Sequence, residues 1–250
     1  MRKYTNTFYT DKQTLCLNSA NQIVPWLIHR ISVKKVVDVG CGNGLWLSVF
    51  YKNNITDVLG YDGRWVDKSL LAIPDDCFKS VDLQNDKFDD KKADLVISLE
   101  VAEHLPEEFS DKFIYSLTNI SSLALFSAAV PGQGGTNHVN EQWPGYWIDK
   151  FDKYGFVVID CIRNNFWDNE MVESWYKQNM FVFAKKEELA RYRNLTNESS
   201  KAFSFNMIHP QMFEGKIHEL TNPENYSLKK LLKKLPSIIL NKIKYKLGQS

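Results

Sequence analysis

Three glycines and an acid lie close together in the segment DVGCGNG, residues 38–44. Glycine lets the backbone turn sharply and lets a ligand approach main-chain atoms without meeting a side chain. The segment follows a short β-branched run and precedes apolar residues at helical spacing, residues 45–51. Because the N–H groups at the start of a helix attract negative charge, this strand–turn–helix unit predicts a site for an anionic group of a cofactor.

More candidate binding residues end later apolar runs of the chain. They are Asp62, Asp82 with its neighbour Leu83, and Leu99 with its neighbour Glu100. Asp62 follows the glycine turn by about 20 residues, where a carboxylate can accept hydrogen bonds from both hydroxyls of a ribose. Open α/β sheets bind ligands at the carboxyl ends of their strands, so we expect these side chains to converge there.

The segment SLEVAEHLP contains a possible metal site. Glu100, Glu103 and His104 stand at positions i, i+3 and i+4, which places them on one face of a single helical turn. Two carboxylates and an imidazole in that arrangement could hold a divalent ion such as Mg²⁺.

The elements that position these residues alternate between strand and helix patterns. Apolar runs typical of strands occur at residues 36–39, 57–61, 78–81, 93–99, 122–130, 156–161 and 180–184. Helical spacing separates most of them, and residues 14–31 precede the first strand with a predicted interruption at Pro25. The order predicts an α/β fold with a doubly wound, mostly parallel, seven-stranded sheet.

The glycine turn resembles motif I of the class I S-adenosylmethionine (SAM)-dependent methyltransferases. Its order is GxGxG, and Asp38 lies inside the strand two residues before Gly40. The resemblance covers roughly residues 30–185 and implies a Rossmann-like methyltransferase fold, SAM as cofactor and methyl transfer as the activity. It implies that the cofactor-binding residues are Asp38, Gly40, Gly42, Gly44, Asp62, Asp82, Leu83 and Leu99. In this family the position of Asp82 contacts the adenine amino group, and the apolar neighbour packs on the ring.

The ExxEH pattern is similar to that of ubiquinone-pathway O-methyltransferases and small-RNA 2′-O-methyltransferases, where it binds a metal. The RNA enzymes add a downstream histidine, for which His138 in TNHVNEQW is the candidate. Metal-free methyltransferases also carry Glu-His after the fourth strand, with the histidine as a wall of the substrate site or a helix cap. Glu100 and His104 are therefore candidate catalytic residues, with or without a metal.

His138 is the leading candidate for a general base. It follows the glycine-rich loop after the fifth strand, next to the expected methyl-donor pocket, and imidazole exchanges protons near neutral pH. Glu141 and Trp143 lie in the same loop and suit contact with a sugar or an aromatic ring. Arg163, between the sixth and seventh strands, could pair with an acidic group of the acceptor.

The chain divides by composition near residue 187. Residues 1–187 are predicted to form the methyltransferase domain and residues 188–250 a C-terminal helical extension. Residues 227–250 carry seven lysines and no acid, with leucines and isoleucines at helical spacing interrupted by Pro236. Such a basic amphipathic segment either lies on an anionic membrane surface or packs on the catalytic domain.

The overall composition limits the classes of partner that we expect the chain to bind. With 31 basic and 30 acidic side chains and a net charge of +1, the chain has no global field for nucleic acid, which argues against a nucleic acid partner. Four scattered cysteines indicate a reducing compartment, and the polar N-terminus does not resemble a signal peptide. We expect a soluble, cytoplasmic protein whose membrane association, if any, is peripheral.

The leading hypothesis is an O-methyltransferase that acts on a hydroxyl of a glycan or glycan-lipid precursor in polysaccharide biosynthesis. It draws on the aromatic loop, the basic tail and a general resemblance to methyltransferases of surface-polysaccharide gene clusters. The alternatives are an RNA 2′-O-methyltransferase with an ExxEH metal site, a small-molecule or quinone-type O-methyltransferase, and a non-catalytic binding module with the same fold.

Overall fold

The computed structural model describes residues 6–88, 92–199 and 205–222, together with residues 232, 235, 236 and 239. The chain divides into two compact units, Met1–His209 and Pro210–Ser250. The first unit therefore extends beyond residue 187, the predicted end of the catalytic domain, because Tyr192 and Leu195 are buried in its core. The assignment of residues 188–250 to a separate extension stays a prediction.

A seven-stranded sheet forms the centre of the first unit. Its strands are β1 (Lys35–Val39), β2 (Asp57–Asp62), β3 (Phe78–Ser80), β4 (Leu95–Leu99), β5 (Leu123–Ser127), β6 (Phe156–Ile159) and β7 (Phe181–Lys185). They lie in the order β3-β2-β1-β4-β5-β7-β6, and all neighbouring pairs are parallel except those that β7 makes with β5 and β6. The predicted fold class is confirmed.

Helices cover both faces of the sheet, which explains why the central strands are almost wholly apolar. The helices of the first unit are α1 (Asn6–Ile28), α2 (Leu45–Lys52), α3 (Ser110–Ile120), α4 (Pro144–Lys153), α5 (Cys161–Phe166), α6 (Ser174–Asn179) and α7 (Arg193–Thr196), whereas α8 (Pro210–Thr221) belongs to the second unit. One core contains buried residues of α1, α2, α5 and α6, among them Leu27 and Phe50. The other contains residues of α3 and α4, among them Phe113 and Phe151.

Helix α1 differs from its prediction at one point. It continues through Pro25 to Ile28, where the pattern predicts an interruption. A proline inside a helix removes one N–H and crowds the preceding turn, yet here it lies in the last turn, and its carbonyl accepts the N–H of His29. Burial of Ile23, Val24 and Leu27 holds this turn on the sheet.

The C-terminal unit is described in part. Helix α8 has no buried residue, and Phe213, Ile217 and Leu220 are exposed. The predicted amphipathic helix of residues 227–250 falls outside the described residues apart from four positions. Of these, Leu232, Leu235 and Ile239 are exposed. Within the described parts of the chain, no helix is both long and apolar enough to cross a membrane.

The order of the strands decides where a ligand can bind. The chain runs outward from β1 to β3 on one side and then returns to place β4 beside β1 on the other. In open α/β sheets this reversal leaves a crevice outside the carboxyl ends of the two central strands. The glycine turn follows β1 and the ExxEH segment follows β4, so both predicted motifs meet at this crevice.

Candidate cofactor and reaction site

The glycine turn after β1 adopts a backbone conformation that other residues rarely tolerate. Gly40 has a φ of 86°, and a Cβ built on it would lie 2.3 Å from Cγ2 of Val101. Gly44, at the start of α2, has a φ of 79°, and a Cβ there would meet Cγ1 of Ile73 at 2.9 Å. Both glycines are therefore needed for two reasons, the left-handed backbone and the close approach of neighbouring side chains.

Asp62 connects this turn to the end of β2. Its Oδ2 accepts the backbone N–H of Gly42 at 2.6 Å, and its Oδ1 accepts that of Gly63 at 2.6 Å. Burial raises the pKa of Asp62, although these bonds act in the opposite direction. Asp38 is only 3% exposed, and burial together with the charge of Asp62 holds its pKa well above the usual range.

A cavity of about 670 Å³ opens at the carboxyl ends of the strands, within the usual size range of small-molecule sites. Seven of the predicted residues line it, namely Gly40, Gly42, Asp62, Asp82, Leu83, Glu100 and His104. Asp38, Gly44 and Leu99 do not line it. Asp38 instead lies buried in β1, and Gly44 begins α2.

The cavity fits SAM by the chemistry of its lining. The glycine turn provides a cradle that a Cβ would fill, and Asp62 is an acceptor for ribose hydroxyls. Leu83 and Leu105 provide apolar surface for a purine. Asp82 accepts hydrogen bonds from the N–H of Gln84 and the side chain of Asn85, and these bonds lower its pKa. It therefore remains an anionic acceptor at the rim of the cavity.

Glu100 takes a different position from the one that helical spacing predicts. It precedes the short 3₁₀ helix Ala102–His104, and its φ of 55° is unusual for a residue with a side chain. Its carboxylate accepts hydrogen bonds from the amides of Gln133, at 2.8 Å, and Asn179, at 3.2 Å. The three residues of the ExxEH pattern therefore do not form one face of a helical turn.

Glu103 and His104 instead meet His138. One potential ligand atom from each of these residues lies within 4.8 Å of the other two. Glu103 is fully buried, and no described group donates a well-aligned hydrogen bond to its carboxylate. Burial and the charge of Glu100 raise its pKa to about 9, although the nearby N–H groups of Glu103 itself and Ala129 lower it in part. A buried carboxylate that accepts no well-aligned hydrogen bond lies here beside two imidazoles. Together these groups are a set of ligands that could bind a divalent ion.

The loop that joins β5 to α4, residues 128–143, is attached to the ExxEH segment by its backbone. The N–H groups of Val139 and Asn140 both donate to the carbonyl of Glu103, at 2.9 and 3.0 Å. Nδ1 of His104 lies 3.3 Å from the carbonyl oxygen of Asn137, which can only accept, so Nδ1 carries the proton. Burial and the proximity of His138 lower the pKa of His104.

His138 is oriented by Glu141 inside this loop. Nδ1 of His138 lies 2.9 Å from Oε1 of Glu141, and the same carboxylate accepts the N–H groups of Gly132 and Gly134 at 2.7 Å. Although burial raises the pKa of Glu141, these hydrogen bonds lower it below its usual value. With its proton on Nδ1, the imidazole presents an unprotonated Nε2. His138 does not itself line the cavity, whereas its neighbours His104 and Asn137 do.

The three residues predicted to contact the acceptor have different surroundings. Glu141 binds His138 and the glycine loop, so it positions the histidine and does not face the cavity. Trp143 is 39% exposed at the start of α4, outside the cavity lining. Arg163 is 3% exposed, and its guanidinium is bound by Asp160 and the carbonyl of Phe205. The structure thus gives Arg163 a role in packing in place of the predicted contact with an acceptor.

Several lining residues escape sequence reasoning. They are Trp65, Gln84, Val101, Leu105 and Thr136. All of them except Thr136 lie within about six residues after a strand end, so proximity to those ends is the signal that could have found them. Asn179, which donates to Glu100, carries no such signal because it precedes β7, and the amino end of this antiparallel strand comes to the site only through the topology of the sheet.

Comparison with known proteins agrees with this geometry. Residues 13–127 match a family described as "Methyltransferase domain". No curated protein sequence matches the chain.

Similar solved structures support the fold. DesVI from Streptomyces venezuelae has a TM-score of 0.51 and 15% identity, over 72% of this chain and 96% of that one. An O-methyltransferase family protein from Burkholderia thailandensis has a TM-score of 0.50 and 13% identity, over 72% and 60% of the two chains. A protein of Nostoc punctiforme, provisionally assigned as an O-methyltransferase, has a TM-score of 0.51 and 12% identity, over 68% and 57%. Residues 13–127 therefore contain a methyltransferase domain, and the glycine turn and the acids at the strand ends lie where a SAM-dependent methyltransferase of class I is expected to hold its cofactor.

Proposed function

We propose that the chain methylates a hydroxyl oxygen, with His138 as the general base. The observation that carries this proposal is the 2.9 Å contact between Nδ1 of His138 and the Glu141 carboxylate. It holds the imidazole in the tautomer whose Nε2 can accept a proton. An alcohol needs such a base because it is a poor nucleophile until its proton begins to leave.

The reaction is a direct displacement in which the chain's residues position the reactants. SAM supplies a methyl group on a positively charged sulfur, which keeps the electron pair of the broken carbon–sulfur bond. The acceptor oxygen forms the new bond to carbon and passes its proton to Nε2 of His138. Glu141 stabilises the imidazolium that results, as a carboxylate does when it orients a catalytic histidine. Most of the rate enhancement comes from alignment in the cavity.

A glycan or glycan-lipid precursor is the acceptor class that we favour. Sugar rings bind to surfaces that combine exposed aromatic faces with polar groups. Trp65 is 80% exposed and Trp143 is 39% exposed, and Gln84, Thr136 and Asn137 add polar groups to the cavity. These features support a sugar acceptor, and they also suit other polar ring systems that carry a hydroxyl.

A lipid-linked acceptor is consistent with the C-terminal unit. Exposed Phe213, Ile217 and Leu220 lie at positions i, i+4 and i+7 of α8. The seven lysines of residues 227–250 add positive charge without acids. Each basic residue near an anionic bilayer contributes about 1 kcal/mol of attraction. We therefore propose peripheral membrane contact through this end of the chain.

The group formed by Glu103, His104 and His138 favours a second candidate, metal-assisted methylation of a ribose 2′-hydroxyl in RNA. A bound divalent ion would make the hydroxyl more acidic and so replace the base. One carboxylate and two imidazoles suit Mn²⁺, Fe²⁺, Co²⁺ or Zn²⁺ better than Mg²⁺, which prefers oxygen ligands and retains several waters. The net charge of +1 supports a partner other than nucleic acid.

Transfer of labelled methyl from SAM to a panel of acceptors tests the proposal. The panel contains oligosaccharides, lipid-linked oligosaccharides, small phenols and a short RNA with a free 3′ end. We expect label in a base-stable ether on a sugar of the first two. Label only in RNA, and only with added Mn²⁺ or Mg²⁺, would establish the second candidate instead.

A further inference from the structure

The Glu100 carboxylate lies at the wall of the cavity, where two side-chain amides hold it. Nε2 of Gln133 donates to its Oε2 at 2.8 Å, and Nδ2 of Asn179 donates to its Oε1 at 3.2 Å. Nδ2 of Asn179 also donates to Oε1 of Gln133 at 2.9 Å, so the three side chains form a closed triangle. A carboxylate has about four acceptor positions, and the two amides leave about two of them for other donors.

A chain of hydrogen bonds fixes the direction of the Asn179 amide. The backbone N–H of His209 can only donate, and it donates to Oε1 of Gln178. Nε2 of Gln178 therefore faces Asn179 and donates to its Oδ1 at 2.8 Å, which leaves the amide nitrogen of Asn179 directed at Glu100. Gln178 is 0% exposed and Asn179 is 2% exposed. A turned amide would leave buried donors and acceptors without partners, which is costly.

The Gln133 amide is fixed from the other side. The backbone N–H of Val130 donates to its Oε1 at 3.3 Å, and the carbonyl of Val130 accepts the N–H of Gln133 at 3.0 Å. Gln133 belongs to the loop of residues 128–143, which also carries His138. Because Asn179 donates to both Glu100 and Gln133, it connects the cavity carboxylate to this loop.

The backbone of Glu100 depends on its surroundings in the same way. Its φ of 55° lies in the left-handed region, and its N–H donates to the carbonyl of Ser127 at 3.0 Å and to the hydroxyl at 3.1 Å. Strained residues of this kind persist where neighbouring groups hold them, and they concentrate at functional sites. Among the described residues of the lining, Asp62 and Asp82 are the other carboxylates, and both have expected cofactor contacts. Glu100 is therefore available to the methyl acceptor.

We propose that Asn179 is a positioning residue for methyl transfer, which ties the loop of residues 128–143 to Glu100 and fixes the Glu100 carboxylate so that its remaining acceptor positions bind a hydroxyl or amine hydrogen of the methyl acceptor. Gln178 acts one step further away by holding the Asn179 amide. The inference deepens the proposed function, and it rests on that function only in that the acceptor donates a hydrogen bond. It does not depend on His138 as the base.

Exchange of the donor and the acceptor between positions 100 and 179 separates this role from packing. Asn179→Asp places a carboxylate oxygen against Glu100, and kcat/KM for the acceptor should fall by about 10²-fold, the cost of a misplacement of about 1 Å. The Kd for S-adenosylhomocysteine should not change. When Glu100→Gln is added, an amide again faces a carboxylate, so the Tm should return toward the wild-type value. In this double variant kcat/KM should stay low, because the carboxylate no longer lies at the cavity.

Turnover is measured as transfer of labelled methyl to the panel acceptor that the wild type methylates best. Asn197→Asp adds the same charge at an exposed position and is the matched control, which should keep the wild-type kcat/KM and Tm. Recovery of kcat/KM together with the Tm in the double variant would overturn the inference, because packing alone would then explain the effect. Wild-type kcat/KM in Asn179→Asp would overturn it as well.

Backbone hydrogen exchange, measured by mass spectrometry, tests the attachment of the loop without any acceptor. Asn179→Leu removes the donors to Glu100 and Gln133, so peptides from residues 128–143 should exchange faster than in the wild type. Peptides from α3 should exchange as in the wild type. Unchanged exchange in residues 128–143 would overturn the inference. A wild-type protein that methylates nothing in the panel would contradict the proposed function, and the exchange measurement would still decide whether Asn179 holds the loop.

Discussion

Nδ1 of His138 lies 2.9 Å from Oε1 of Glu141, and that carboxylate also accepts the backbone N–H groups of Gly132 and Gly134. One acid therefore orients the candidate base and closes the loop that carries it. The carbonyl of Glu103 anchors the next part of this loop through Val139 and Asn140. The position of His138 thus depends on the segment after β4 as well as on its own loop.

Replacement of His138 tests the base assignment. We expect His138→Ala to lower kcat by about 10²-fold or more, since a positioned base typically contributes about 10²–10⁴-fold, and to leave the Kd for S-adenosylhomocysteine unchanged. His29 is exposed, and His29→Ala is the control that should alter neither quantity. His209 is a poorer control because it is 5% exposed and its Nε2 lies 2.9 Å from the carbonyl oxygen of Trp167. Normal turnover in His138→Ala would exclude the base role and favour nitrogen or an already ionised oxygen as acceptor.

Chelation tests the role of a metal. With His138 as the base, EDTA should leave turnover largely unchanged, and added Mn²⁺ should not increase it. The measurement is the initial rate of methyl transfer before and after dialysis against EDTA. A strict requirement for a divalent ion, restored by Mn²⁺ or Mg²⁺, would contradict this expectation and support the ribose-methylating alternative.

Replacement of Asp62 tests the cofactor site directly. Asp62→Asn removes the negative charge that accepts ribose hydroxyls, and a hydrogen bond to a charged group contributes roughly 1.5–3 kcal/mol. We expect S-adenosylhomocysteine to bind at least about 10-fold more weakly, measured by calorimetry. Asp152→Asn changes an exposed acid that pairs with Lys186 on the surface, and this variant should bind S-adenosylhomocysteine like the wild type.

The pH dependence of cofactor binding should follow Asp62. Burial raises its pKa, and the ionised carboxylate is the form that accepts from ribose. The affinity for S-adenosylhomocysteine should therefore be highest at pH values above this raised pKa. Below it, the affinity should decrease by up to about tenfold per pH unit. Calorimetry between about pH 8 and about pH 5 measures the effect. The charges of Asp38 and His104 also interact with the Asp62 carboxylate. The diagnostic result is therefore a flatter plot of affinity against pH in Asp62→Asn than in the wild type. An identical slope in both proteins would assign the titration to another group.

Replacement of Arg163 tests its role in packing. Arg163 and Asp160 are each 2% exposed in their side chains and form a buried ion pair. Removal of one partner leaves an uncompensated buried charge, so Arg163→Met should lower the free energy of unfolding by about 3–5 kcal/mol. Urea denaturation measures this. Arg191→Ala, which breaks an exposed ion pair with Glu188, is the control and should lower the free energy of unfolding by about 1 kcal/mol or less. A stable Arg163→Met protein with an impaired acceptor KM would restore the predicted contact with the acceptor.

The sequence by itself determined the fold class and most of the cofactor site. Strand and helix patterns arise from local periodicity, and parallel strands bring their carboxyl ends to one edge of the sheet. Gly40, Gly42, Asp62, Asp82 and Leu83 could therefore be placed together before any coordinates, because each follows a strand that the pattern predicts. All five residues line the cavity, as this rule of topology predicts.

Only the tertiary structure decided which residues share the reaction site. Helical spacing predicts Glu100, Glu103 and His104 on one face, yet the left-handed backbone at Glu100 and the amides of Gln133 and Asn179 draw its carboxylate into a separate network. Glu141 and Arg163 bind partners within the chain, and Trp65 enters the site because Gly63 leaves room for its ring. These outcomes depend on hydrogen bonds and packing between segments far apart in the chain, and local periodicity does not encode them.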